Sequence, residues 1–307
     1  MKVNSFAAME QAVLGSGALQ RIVLAGAANA DALESAVMAK RKGIASFLLV
    51  GDEAVIRTML KDMGEHPDDY AFHHETDGAQ IAQTAFKLLK GGRADLPMKG
   101  GVQTAEFMRG LLNREFGFVP PGALITQATV LEYTCENRMM VISDCAISID
   151  PDVSAKISIT RNAVALAKSI GIDTPKVAIL APLEKVNEKI RSTVEADAVK
   201  QAWLCGELKD CIVDGPLALD CVVDAEAARV KGLDSVVAGA TDVLIMPDLA
   251  AGNIFTKALH YFARLPSSGV GCGATVPVIM TSRTDSAEGK YFSILTAVYC
   301  SLARRCL

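Results

Sequence analysis

Between Thr241 and Ser286 the chain gathers residue types suited to holding phosphate. Gly252 and Asn253 form a turn ahead of an amphipathic stretch that carries Lys257, a glycine-rich connection follows, and Ser282 and Arg283 come after a short apolar run, Pro277 to Thr281. Asp242 to Met246 is a second such run, ended by Pro247, and both read as buried parallel strands. In open α/β sheets, ligands bind outside the carboxyl ends of strands. Where such an end feeds a helix, free backbone N–H groups and the helix dipole favour an anion. A guanidinium also grips phosphate with two parallel hydrogen bonds, which an ammonium does not. Arg283, Lys257 and Arg109 are therefore the candidate cations, and Ser282 adds a hydroxyl donor. Arg109 lies among apolar neighbours in TAEFMRGLL, so its spacing alone leaves open a surface charge whose stem covers the core.

Other chemistries find less support. No Gly-x-Ser-x-Gly elbow and no GxxxxGK[ST] loop is present, which argues against an α/β-hydrolase triad and a P-loop kinase. Gly15-Ser16-Gly17 precedes a strand instead of following it, and the turn at Gly26 lacks the full dinucleotide fingerprint. His66, His73 and His74 fall among acidic residues at a spacing that matches no ligand frame, so a solvated polar connection is expected there. The eight cysteines are scattered, and the Cys205, Cys211, Cys221 series reads as core packing in a reduced, cytoplasmic protein. A net charge of −4 offers no nucleic-acid surface, and no apolar run approaches a bilayer span. The N-terminus has no signal-peptide h-region.

These residues need a scaffold of alternating strands and helices. Strands are expected at Arg21–Ala25, Ala45–Val50, Ala123–Leu131, Met139–Ser143, Lys176–Ala181 and Cys211–Val213, with helices between them. Asp150-Pro151 looks like a helix start, and Ser192 to Glu195 has the capping-box pattern. Half of the 307 residues are apolar and only 5% are aromatic, which suits a helix-rich α/β enzyme with two lobes. The expected division is a first lobe of residues 1–145 plus 284–307, and a second lobe of 146–283 inserted into it. The last helix, with Ile294, Leu295 and Val298, is expected to pack back on the first lobe, leaving a cleft between lobes.

PDLAAGNIFTKAL followed by VPVIMTSRTDSAE resembles the signature region of the phosphate acyltransferases, and DCAISIDPD and CIVDGPLALD resemble the butyryl branch more than the acetyl branch. The likeness runs from about Leu96 to the C-terminus. It implies two αβα lobes like those of isocitrate and isopropylmalate dehydrogenases, a homodimer, and reversible acyl transfer between coenzyme A and inorganic phosphate. Coenzyme A is then a substrate, and neither a cofactor nor a metal is implied. Carried over by residue, the family's Ser-Arg pair falls on Ser282 and Arg283, and its helix arginine on Arg109, as an anion contact. Phosphate acetyltransferase, a metal-dependent NAD(P) dehydrogenase of the same fold and a silent CoA- or nucleotide-binding protein are the alternatives.

The chain departs from the acetyl branch at one point. The aspartate that follows the family's serine by seven residues, implied to deprotonate CoA, is here Gly289. Asp285 lies one helical turn before that position and is expected to replace it, if the helix has begun by then. Glu288 points elsewhere on such a helix. The competing reading is that both acids merely cap it.

Overall fold

The computed structural model describes residues 3–282 and 284–305 of the chain. It opens with α1 (Phe6–Gly15), β1 (Gln20–Ala25), α2 (Ala30–Arg41), β2 (Ala45–Gly51), α3 (Glu53–Asp62), β3 (Ala71–His74), α4 (Gly78–Lys90), β4 (Leu96–Lys99) and α5 (Thr104–Leu111). Strand β1 pairs in parallel with β2 on one side and β4 on the other, and β2 pairs with β3. Helices cover such a sheet on its faces, which is why β1 is a near-continuous apolar run with Ile22, Val23 and Leu24 fully buried. Asn29, Asp52 and Asp77 start α2, α3 and α4 by accepting backbone N–H groups of the first turn.

A second set of elements follows: β5 (Thr126–Tyr133), β6 (Arg138–Ser143), α6 (Val153–Ser169), β7 (Lys176–Leu180), α7 (Arg191–Leu204), β8 (Ile212–Leu217), α8 (Leu219–Val223), α9 (Ala225–Val230), β9 (Val243–Ile245) and α10 (Leu249–Tyr261). Their strands lie in the order β5-β6-β9-β7-β8, with β5 antiparallel to β6 and the others parallel. Leu131, Met140, Ile142, Leu180, Leu244 and Met246 form the core beneath them.

The chain ends with β10 (Ser267–Cys272), β11 (Val278–Ile279) and α11 (Ala287–Arg305). Strand β11 pairs antiparallel with β10 and parallel with β4, so these elements rejoin the first set in the order β3-β2-β1-β4-β11-β10. Helix α11 packs on α1 and α2, and Phe6 stacks on Phe292 with ring centroids 4.3 Å apart.

The chain divides into two compact units, Leu124–Ser267 with the N-terminal residues up to Ser5, and Phe6–Ala123 with Ser268 onward. The boundaries expected at 146 and 283 both fall late. Residues of β5 and β6 pair with each other and then with β9, which places them in the inserted unit. Strands β10 and β11 join β4, which returns them to the first unit.

Four local expectations also change. The glycine-rich stretch before Pro277 is strand β10. A Cβ at Gly271 would stand 3.0 Å from Val278 Cβ and 3.1 Å from Met280 Sδ, so the glycine permits close pairing. The polar connection with His73 and His74 is edge strand β3. Helix α6 is capped by Asp152 and not by Asp150, whose carboxylate instead pairs with Arg191 at 2.8 Å. The capping box at Ser192 does not form. Ile190 holds the cap position of α7, and Glu195 is drawn into ion pairs with Lys156 and Arg191.

Candidate functional site

Thr281, two residues past the end of β11, is buried, and Ser282 follows it exposed. The turn closes on itself. The Ser282 N–H donates to Asp285 Oδ2 at 2.7 Å, the Asp285 N–H donates to the Ser282 carbonyl at 3.4 Å, and the hydroxyls of Ser282 and Thr284 are 3.1 Å apart. Arg283, the cation assigned to this turn, lies outside the described residues.

Helix α11 begins only at Ala287, so Asp285 precedes the helix and shares no helical face with Gly289. Ser286 serves as the cap, its Oγ accepting the Gly289 N–H at 3.1 Å. Asp285 nevertheless reaches the same place through the turn: a Cβ built on Gly289 would lie 3.8 Å from Asp285 Cβ. Glu288 stays exposed in the first helical turn. The first unit therefore holds a serine hydroxyl and a carboxylate three residues apart, joined through the serine's backbone.

Arg109 belongs to the same unit. It is exposed on α5 and lines a cleft of about 680 Å³ with Gln83, Ala105, Met108, Leu112 and Asn113. The adjacent Gly110 explains its outward direction. A Cβ there would stand 2.6 Å from the Phe86 ring, so α5 lies tight on α4 and turns Arg109 away from that contact.

Gly252, Asn253 and Lys257 sit on α10 in the other unit, after β9, so the turn expected at Gly252-Asn253 is instead part of a helix already begun at Leu249. Asp248 caps this helix by accepting the Ala251 N–H at 2.8 Å. A Cβ on Gly252 would be 2.5 Å from the Asp144 carbonyl oxygen, and Asn253 Nδ2 donates to the Cys145 carbonyl at 3.3 Å. Both residues thus clamp α10 onto the chain leaving β6. Lys257 is exposed one turn further along.

Asp144, which sequence reasoning passed over, organises that chain segment. Its buried carboxylate accepts the N–H groups of Gln127, Ala146 and Ile147 at 3.1, 2.8 and 3.0 Å and the Ser148 hydroxyl at 3.0 Å. Asp followed by small residues after an apolar strand was the available signal, the pattern of a turn closed by its own side chain.

The cysteine series separates into unlike environments. Cys205 is exposed, whereas burial pushes the Cys211 thiol up to about 11, aided by the neighbouring Asp210 carboxylate. Cys221 lies with Glu184 and Asp220, ligand-type atoms all within 4.8 Å of one another. The Lys231 ammonium already fills that position, 2.6 Å from Glu184 and 2.8 Å from Asp220, and holds both carboxyls below the usual range. No other group of this kind occurs among the described residues.

The two α/β units have solved counterparts among the phosphotransacylases. The branched-chain phosphotransacylase of Enterococcus faecalis V583 superposes with a TM-score of 0.81 at 27% identity, over 92% of this chain and 99% of that one. The chain belongs to the family described as "Phosphate acetyl/butaryl transferase", whose profile matches residues 61–298. It is 37% identical to a phosphate butyryltransferase of Clostridium acetobutylicum over 91% of this chain and 92% of the relative. It is 34% identical to a phosphate acetyltransferase of Thermotoga maritima over 93% of this chain and 97% of the relative. Membership makes the protein an acyltransferase and sets aside the dehydrogenase and silent-binder readings. The likeness also begins earlier than Leu96, where the sequence motifs placed it.

Proposed function

We propose that the protein transfers a short-chain acyl group reversibly between coenzyme A and inorganic phosphate, with butyryl preferred to acetyl. The similarity to a phosphate butyryltransferase across nearly the whole of both chains carries this reading. In the forward direction a phosphate oxygen attacks the thioester carbonyl carbon, the C–S bond breaks, and CoA departs as its thiolate. In reverse, the thiolate attacks the acyl phosphate. Negative charge grows on the carbonyl oxygen and on phosphate in both directions, and fixed cations lower the barrier when they meet that charge more strongly in the transition state than in the ground state.

Arg283 is assigned to that charge. Arg109, Lys257, Gly252 and Asn253 are assigned to the anionic parts of the substrates. Ser282 acts as a hydrogen-bond donor to the thioester, and Asp285 orients or deprotonates the thiol. The exposure of Ser282, and its link to Asp285 through the backbone, support their shared role. No metal or cofactor enters this scheme.

A homodimer in the cytoplasm completes the reading. Every described cysteine is free, in keeping with a reducing compartment. No described helix is long and apolar enough to cross a membrane. Thiol release from acyl-CoAs of two to six carbons, with and without phosphate, tests the assignment. Phosphate-dependent release peaking at four carbons is expected. A peak at two carbons makes the protein an acetyltransferase, and release independent of phosphate removes the proposed reaction.

A further inference from the structure

Lys99, Lys156 and Lys290 are nearly inaccessible to solvent. A buried ammonium loses its hydration and is retained only where other groups compensate it. Lys156 has such a partner, a close ion pair with the buried Glu195, which Arg191 also holds at 2.6 Å. Lys290 is placed differently. Its side chain is 4% exposed, and it donates to the backbone carbonyl of Asp285. The carboxylate facing it, Asp31 in the first turn of α2, is half exposed and stands 3.8 Å away, outside hydrogen-bond range. Lys290 also lies in the first turn of α11, where the positive end of the helix dipole opposes a cation. Stability is a weak reason for a lysine in such a place.

Position supplies a better one. Asp285 is held at three points: its N–H by the Ser282 carbonyl, its Oδ2 by the Ser282 N–H, and its own carbonyl by Lys290. The first two contacts are internal to the exposed turn and open together if the turn unfolds. The third ties the turn to the body of the unit, because Lys290 is fixed in the helix by its own N–H to the Ser286 carbonyl at 2.9 Å. We propose that Lys290 is a positioning residue for acyl transfer: its buried ammonium grips the Asp285 carbonyl and so holds the Ser282 hydroxyl and the Asp285 carboxylate in one arrangement. This inference rests on the acyl-transfer reading above and extends it to a residue that touches no substrate.

Lys290→Met removes the donor while keeping an unbranched side chain of similar volume. A misplacement of the reacting groups by about 1 Å costs up to about 100-fold, so kcat is expected to fall about 10- to 100-fold. The melting temperature should stay level or rise, because an apolar side chain replaces a poorly paired cation. Lys290→Arg, which restores charge and donors, should recover part of kcat. The double variant with Asp285→Asn should lose little beyond the worse single variant, as residues acting through one contact do. Wild-type kcat in Lys290→Met overturns the proposal, as do fully multiplicative losses in the double variant. So does a kcat loss that merely follows a lower melting temperature and is not relieved by Arg. If Lys290→Met does not fold, Lys290→Gln takes its place, and full kcat there is equally fatal.

Hydrogen exchange at the Ser282 amide separates this proposal from the reaction it rests on. Lys290→Met should speed that exchange whether or not the unmodified protein releases thiol from acyl-CoA. Faster exchange in a protein without acyl transfer leaves the anchor and removes the reaction. Unchanged exchange removes the anchor.

Discussion

Two segments follow strand ends in this molecule, the start of α10 after β9 and the Ser282–Asp285 turn after β11, and they are built on opposite principles. Gly252 and Asn253, early in α10, press that helix against the chain leaving β6, with no room for a Cβ beside the Asp144 carbonyl and a hydrogen bond from the Asn253 side-chain amide to the Cys145 carbonyl. The Ser282–Asp285 turn has an exposed serine, closes through its own polar groups, and is tied down from one side by Lys290. Glycine gives the start of α10 rigidity through close backbone approach, whereas the Ser282–Asp285 turn gains order from hydrogen bonds that leave its hydroxyl accessible. A rigid clamp suits a residue that frames a ligand. A polar, accessible turn suits groups that exchange protons and hydrogen bonds with one.

Substitutions that weaken one of these segments should therefore leave different marks from those that weaken the other. The largest effect is expected from Arg283→Ala, a loss in kcat of about 100- to 1,000-fold with an unchanged melting temperature, as when one charge-stabilising donor is removed. Steady-state kinetics with butyryl-CoA and phosphate decide it, and a normal kcat would sink the proposed mechanism. Gly252→Ala comes next and acts on stability. The methyl group meets the Asp144 carbonyl oxygen at 2.5 Å, so the fold should lose about 1–3 kcal/mol, read by urea denaturation. An unaltered midpoint would mean that the two segments are not in contact.

Arg109→Ala is expected to raise the KM of an anionic substrate about tenfold with kcat less affected, because the residue lines a cleft and its proposed role is uniform binding of that substrate. Unchanged KM values for both CoA and phosphate would return Arg109 to the surface. The smallest effect lies away from both segments and serves as their control. Lys231 holds the carboxyls of Glu184 and Asp220 below their usual range, so its stabilisation is present above the unfolded carboxylate pKa of about 4 and is lost as the pH falls through the lower folded values. Lys231→Met should lower the melting temperature by a few degrees at pH 7, since the group is partly exposed and screened. The gap should close below about pH 4 with kcat unaltered throughout. A gap that persists in acid would assign the loss to packing.

Much of the frame was legible because burial on both faces leaves a plain signature: RIVLA, ASFLLV and the run after Asp242 are strands wherever they occur in a parallel sheet. Strand β10 escaped, since its glycines read as a loop until β11 lies beside them. The capping box at Ser192 misled in the other direction. Glu195 has the right spacing to cap, but the buried Lys156 needs its charge more than the helix needs a cap.

Residue type and spacing along one segment were enough to single out the Ser282-Arg283 step and the Gly252-Asn253 pair, whereas the role of Arg109 and the loss of an acid at Gly289 came from the resemblance to the family. Spacing also favoured Asp285 over Glu288, though by a helical face that does not exist at that point. Tertiary structure alone decided that Asp285 reaches the Gly289 position through a hydrogen-bonded turn, that Ser286 caps α11, and that Lys290 turns inward to the Asp285 carbonyl. It also decided that β5 and β6 belong to the inserted unit. The reason is common to these cases. Hydrogen-bond partners and burial depend on which segments arrive together in space, and a one-dimensional pattern carries residue type and period but not the identity of the neighbour.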